Sequence, residues 1–235
     1  MRELPRAGAA RLWLVRTDTP AVDRDGVLDA AERRRAAAFH HDRHRERYVA
    51  AHLALRRVLG RVLELPPRDV RFVREPCPRC RALHGRPALR NEPGTHFSLS
   101  RAGDLALVAV APVPVGADVE EILSAEATRT LATALHPRER AELAAARGES
   151  ERTAGASRAW VRKEAYLKGL GTGLADGAAH DYVGTGPVPH GPGGWTLADV
   201  TVPRGWTAAV AVAPVPGPGA RREAPEPRPS GAAAV

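Results

Sequence analysis

The chain has 235 residues, 43% of them hydrophobic, which is enough to bury one large core or two smaller ones and excludes a short peptide or a fibre. No apolar run approaches the roughly 20 residues that cross a bilayer, and the opening MRELPRAGAARLWLV lacks the apolar stretch of a secretory signal, so a soluble cytoplasmic protein is expected. Lys+Arg 35 against Asp+Glu 27 leaves +8, a surplus that draws anionic partners such as phosphate groups or an acidic protein.

Aromatic residues make up only 4% of the chain, so its core must rest on Leu, Val and Ala. Residues 12–15 read as an apolar strand. Residues 28–63 read as helix, bent near His40-His41, with Tyr48, Ala51, Leu55, Val58, Leu59 and Val62 at helical spacing along one stripe. The other faces of that helix are rich in arginine, including Arg47 and Arg56, and most of these side chains must be solvated. Pro66-Pro67 ends the helix, and residues 75–94 read as a loop rich in Pro, Cys and Arg. Within it, Cys77-Pro-Arg-Cys80 followed by His84 is half of a zinc-type spacing with no matching second half. It reads either as a loop dithiol or as a weak metal site.

The segment Phe97-Ser98-Leu99-Ser100-Arg101 is expected in a loop before two apolar strands at 105–111 and 113–119, the first apolar almost throughout, as in a strand buried on both faces. A helix is expected over 125–146, a polar linker over 147–155 and a second helix over 157–170, stopped by Gly169, Gly171 and Gly173. Strands at 195–202 and 206–213 follow. This order predicts an α+β protein of two similar lobes, residues 1–112 and 113–214. Residues 215–235, rich in Pro, Gly, Arg and Ala without periodicity, are expected to be a disordered tail.

Three segments carry chemistry. Asp118 and Glu120, at i and i+2 near a strand end, project from one face, and two hard oxygen ligands there suit Mg²⁺ with substrate phosphate completing its shell. In Trp160-Val-Arg-Lys163-Glu164-Ala-Tyr-Leu-Lys168, Glu164 and Lys168 share a helix face at i and i+4, with Trp160 one turn earlier. Lys163 and Lys168 are the only lysines among the 35 cationic side chains. In a chain that otherwise uses Arg, two lysines five residues apart point to work for a compact, titratable ammonium. The third segment, Gly85-Arg86-Pro87 with Ser98, Ser100 and Arg101, offers hydroxyls and guanidinium groups that suit phosphate.

Together these blocks, spanning residues 32–174, resemble the 4′-phosphopantetheinyl transferases of the larger, pseudo-dimeric Sfp type. The resemblance rests on the Arg-rich helix with Arg47 and Arg56, Gly85-Arg86-Pro87 with Phe97-Ser-Leu-Ser100, Gly116-Ala-Asp118-Val-Glu120, and Trp160-x-x-Lys163-Glu164-Ala-x-x-Lys168-x-x-Gly171-x-Gly173. The Cys-x-x-Cys loop before His84-Gly85-Arg86-Pro87 also looks like the bacterial members that serve polyketide and peptide synthases. The resemblance implies two α+β lobes with the active site between them, in a monomer. It implies transfer of the phosphopantetheine arm of coenzyme A to a serine of an acidic acyl or peptidyl carrier protein, releasing adenosine 3′,5′-bisphosphate. On that pattern Asp118, Glu120 and Glu164 match the Mg²⁺ ligands, and Glu164 also serves or positions the base. Lys168 matches the group that neutralises the leaving phosphate, while Lys163, Arg47, Arg86, Ser100 and Arg101 match positions that hold the diphosphate, the 3′-phosphate and the adenine surroundings. Glu139 falls at a further acidic position. The family usually has Ser-His-Ser where this chain has Ser100-Arg101-Ala102; Arg also donates to phosphate, but it is longer and permanently charged.

Two other readings share part of this pattern. A basic nucleic-acid-binding module accounts for the charge but not for Asp-x-Glu or the paired lysines, and offers few aromatics for stacking on bases. A Mg²⁺-dependent phosphohydrolase of nucleotide diphosphates shares the metal and anion sites, with water as acceptor.

Overall fold

The computed structural model describes residues 1–19, 21–173 and 177–215. In chain order its first half comprises β1 (Arg2–Ala7), β2 (Ala10–Arg16), α1 (Ala30–Ala37), α2 (Asp42–Leu63), β3 (Phe72–Arg74), β4 (Pro87–Leu89), β5 (His96–Ala102) and β6 (Leu105–Ala111). The second half comprises β7 (Val115–Glu121), α3 (Ala125–Ala132), α4 (Pro137–Ala144), α5 (Glu149–Leu170), β8 (Thr196–Asp199) and β9 (Trp206–Val212).

The apolar run at 105–111 becomes β6, buried at every position, as a strand covered on both faces must be. It lies inside an antiparallel sheet of order β1-β2-β6-β5. On one face, Leu55, Val58 and Leu59 of α2 pack with Trp13, Val108 and Val110. On the other, Leu105, Leu107 and Ala109 join Val115, Ala117 and Val119 of β7 and Val210 of β9 in one apolar cluster. That cluster ties the larger sheet to a second antiparallel sheet of order β7-β9-β8. The fold is therefore mixed α and β, as expected, its sheets are antiparallel, and no described helix is long and apolar enough to cross a membrane.

Arginine at the core-facing edge of α2 has a structural explanation. Arg56 is fully buried, and its guanidinium donates to Glu32, to Asp29 and to the carbonyls of Pro67 and Val70. Glu32 and Asp29 also form the reciprocal cap that starts α1. A buried cation thus fastens α1 to α2, and the bend expected near His40-His41 is the break between those helices.

Four local expectations are corrected. The segment around Ser98 and Ser100 is not a loop but β5, paired along β6 from His96 to Ala102. The helix expected over 125–146 is two helices, because Pro137 has no N–H to continue the ladder and His136 with Glu139 forms a capping box for α4. The linker expected over 147–155 is instead the start of α5, with Glu149 and Glu151 in its first turn where the helix dipole favours negative charge. The loop over 75–94 contains β4, and β1 extends the first sheet ahead of the predicted strand. Leu174 and all but the first residue of the expected 215–235 tail lie outside the described residues.

Candidate active site

Strand β7 and helix α5 approach closely because both carry glycine at the crossing. A Cβ on Gly116 would fall 1.9 Å from the carbonyl oxygen of Ala165 and 2.4 Å from the amide nitrogen of Gly169. Alternation along β7 puts Asp118 and Glu120 on the same face as Gly116, so both carboxylates face the helix that carries Glu164 and Lys168. The opposite face, Ala117 and Val119, enters the shared core.

The seam between the two sheets is made by serine side chains. Ser98 Oγ accepts the Ala117 N–H at 3.0 Å, and Ser100 Oγ donates to Asp118 Oδ1 at 2.7 Å. Being two residues apart on β5, the two hydroxyls point the same way and hold β7 in place. Lys168 Nζ completes the group, 2.5 Å from Asp118 Oδ1 and 3.2 Å from Ser100 Oγ. Asp118 is fully buried, while Lys168 keeps 34% of its side chain exposed, so the ammonium lies between the buried carboxylate and solvent.

The electrostatics of this cluster are unbalanced. Burial pushes the Glu120 carboxyl up to about 7, and the Asp118 charge pushes in the same direction, with Glu164 and Glu121 adding to it and Lys168 opposing. Asp118 and Glu164 are also raised, chiefly by burial, against the pull of Lys168. Three carboxyl groups thus share the pull of one ammonium. In addition Asp118 Oδ2 is buried without a hydrogen-bond partner, an orphan that native structures rarely tolerate unless something binds there. Hard oxygen donors, more carboxyl groups than cations and an unpartnered carboxylate oxygen fit a divalent cation such as Mg²⁺.

Beyond this cluster, Arg47 and Arg101 line one cavity of about 150 Å³ with Thr17, Phe39 and His44. Arg47 donates to Asp104, but its Nε is buried with no partner, as a site for an added anion would leave it. The Arg101 guanidinium lies over the Tyr48 ring at 5.1 Å. Arg86 reaches the C-terminal end of α5, donating to the Gly169 carbonyl at 2.8 Å, and its Nε lies 2.6 Å from Glu75. The sequence-predicted residues are therefore brought together in part: Asp118, Lys168 and Ser100 are in contact, Glu120 and Glu164 interact electrostatically with Asp118 and Lys168, Arg47 and Arg101 converge on a cavity, and Arg86 sits at the helix end.

Lys163 goes elsewhere. It is buried with its ammonium 2.8 Å from Glu139 and 2.5 Å from the Asp181 carbonyl. Glu139, also fully buried, accepts from the Val183 N–H and from the His136 N–H. This pair fastens α4, α5 and the chain near Val183, so it does not present a cation to a substrate. Ser98, read in the sequence as a hydroxyl suited to phosphate, instead accepts the Ala117 N–H and helps to position β7.

The model of the 4′-phosphopantetheinyl transferase superfamily matches residues 114–188, a stretch containing β7 and all of α5. The 4′-phosphopantetheinyl transferase HetI of Nostoc sp. is 32% identical over 171 residues, covering 70% of this chain and 69% of HetI. A relative from Synechocystis sp. is 27% identical, covering 71% of this chain and 67% of its own. The 4′-phosphopantetheinyl transferase Sfp of Bacillus subtilis is 25% identical over 150 residues, covering 63% of this chain and 62% of Sfp. With the acidic strand, the Glu-Lys helix and these similarities in agreement, the chain belongs to the 4′-phosphopantetheinyl transferases, a family of transferase enzymes.

Proposed function

We propose that this protein transfers the 4′-phosphopantetheine arm of coenzyme A to a serine of an apo acyl or peptidyl carrier protein in a Mg²⁺-dependent reaction, releasing adenosine 3′,5′-bisphosphate. The observation that carries the reading is the buried Asp118 with one unpartnered oxygen, set beside Glu120, Glu164 and Lys168. Asp118, Glu120 and Glu164 would hold the metal, which when bound supplies positive charge to the diphosphate oxygens. The two halves of the chain, 1–112 and 113–214, act as two lobes of a monomer with this cluster between them, working in the cytoplasm.

The carrier serine oxygen bonds to the β-phosphorus of coenzyme A, and the bond from that phosphorus to the bridging oxygen breaks. The serine proton passes to Glu164, or to a water that Glu164 orients, and burial that weakens the carboxylate as an acid makes it a better acceptor. Charge grows on the departing α-phosphate, where the half-exposed Lys168 ammonium donates. Ser100 holds Lys168 and Asp118 in register. Arg47 and Arg101 take the 3′-phosphate side of the nucleotide in their shared cavity, with Arg101 donating where relatives commonly use histidine, and Arg86 guards the diphosphate end. Lys163 has no part in substrate contact, because its ammonium is held by Glu139.

Intact-mass spectrometry of several apo carrier proteins, incubated with the enzyme, coenzyme A and Mg²⁺, tests the reading. The expected result is a gain of one phosphopantetheine group on a carrier, lost with Asp118→Ala. Adenosine bisphosphate released with no gain on any carrier would make water the acceptor and replace transfer with hydrolysis.

A further inference from the structure

The loop between β3 and β4 carries a cluster that the transfer reaction does not use. The chain leaves β3 and returns through a closed neck: the Gly85 N–H donates to the Glu75 carbonyl at 3.0 Å, and the Glu75 N–H to the Arg86 carbonyl at 3.1 Å. Gly85 is required there, since a Cβ would fall 2.6 Å from the Glu75 carbonyl oxygen. Beyond the neck the Arg81 N–H donates to the Cys77 carbonyl and the Cys77 N–H to the Ala82 carbonyl. Arg81 takes a left-handed conformation, φ +64°, which is uncommon for a residue with a Cβ. The result is a tight knuckle that turns Cys77, Cys80 and His84 toward one another.

Their ligand atoms, two sulfurs and an imidazole nitrogen, all lie within 4.8 Å of one another, and Cys80 Sγ is 2.8 Å from His84 Nε2. The knuckle has little core of its own: Cys77 is buried, but Leu83 is 74% exposed and Cys80 and His84 are exposed. Small excursions that bury little apolar surface commonly depend on a cross-link. Two thiolates and one imidazole are borderline-soft donors that select Zn²⁺ over Mg²⁺, so this cluster and the carboxylate cluster call for different metals.

We propose that Cys77, Cys80 and His84 bind Zn²⁺, with solvent in the fourth position, and that the ion orders the loop whose neck carries Gly85-Arg86. Binding releases the thiol protons, so occupancy falls as the medium becomes acidic. The site lies apart from the carboxylate cluster and does not depend on the carrier-protein reading.

The test uses the full chain, purified reduced and without chelator, with its metal measured by elemental mass spectrometry. About one Zn²⁺ per chain is expected, and titration of the metal-free protein with Co²⁺ should give a thiolate charge-transfer band with the visible bands of a tetrahedral site. Cys80→Ser and His84→Ala alter exposed side chains, so their circular dichroism should match the parent while zinc content drops to background. With Mg²⁺ in excess, a zinc-selective chelator should lower the melting temperature of the parent and leave that of Cys80→Ser unmoved. A reduced parent chain that carries no zinc and gives no Co²⁺ spectrum overturns the proposal, as does a Cys80→Ser variant that keeps a full complement of zinc.

Discussion

The two lysines of α5 are chemically alike and five residues apart, yet they do opposite work. At 3.6 residues per turn a separation of five turns the second side chain about 140° from the first, so one helix cannot aim both into one cleft. Lys163 points inward to Glu139, with 3% and 0% of the two side chains exposed, whereas Lys168 reaches Asp118 at a partly open position. Removing one partner of a buried ion pair strands the other charge, at a cost of about 3–5 kcal/mol. Lys163→Met is therefore expected to lower unfolding stability by that amount in denaturant titration, and Glu139→Gln on the same background should recover part of it. Lys168→Met takes the cation from the fully buried Asp118, so it too should cost stability, but it should also lower the transfer rate by about 10²–10⁴-fold as a lost acid or charge-neutralising group does, which Lys163→Met should not. A transfer rate that falls equally in both variants, measured well below their melting temperatures, would contradict this division. Sequence alone assigned both lysines to the substrate because adjacency in a motif hides which face of the helix is buried.

At the level of elements the active cluster depends on how closely β7 and α5 approach, and Gly116 opposite Ala165 and Gly169 sets that distance. Gly116→Ala inserts a methyl group against backbone atoms that cannot rotate away, so helix and strand must separate. Overpacking of this kind costs about 1–3 kcal/mol, and the upper end is expected here because the obstacle is backbone. The same separation pulls Glu164 and Lys168 away from Asp118, so transfer should fall by more than the lost stability explains when measured well below the melting temperature. A variant with parent-like melting and parent-like turnover would show that the crossing has slack. The helix and β6 were legible in the sequence because periodicity and an unbroken apolar run are local signals. The seam between β5 and β7 was not, because the partner of Ser98 is a backbone N–H on another strand and nothing near Ser98 in the chain announces it. The start of α5 was hidden for a related reason. Gly155 looks like a breaker, but it lets Leu143 Cδ2 and Thr185 pack against the helix, 3.0 and 3.4 Å from where a Cβ would stand.

Over the whole molecule, one apolar cluster spans the two larger sheets, and the polar machinery is gathered along the line where they meet. A rigid seam of this kind leaves substrate selection to what surrounds it, and the formal net charge of +8 is the broadest such feature. Carrier proteins with acidic surfaces would be drawn to it over distances set by the Debye length, about 10 Å at 0.1 M salt and about 3 Å at 1 M. Long-range attraction of this sort accelerates encounter more than it alters the chemical step. The Michaelis constant for an acidic apo carrier should thus rise roughly tenfold or more between low and high salt, while kcat at saturating carrier changes little. Coenzyme A is itself an anion, so it must be held saturating at every salt concentration for the carrier term to be read. A carrier Michaelis constant that stays flat across that range would mean that docking rests on apolar contact, leaving the arginine surplus to nucleotide binding alone.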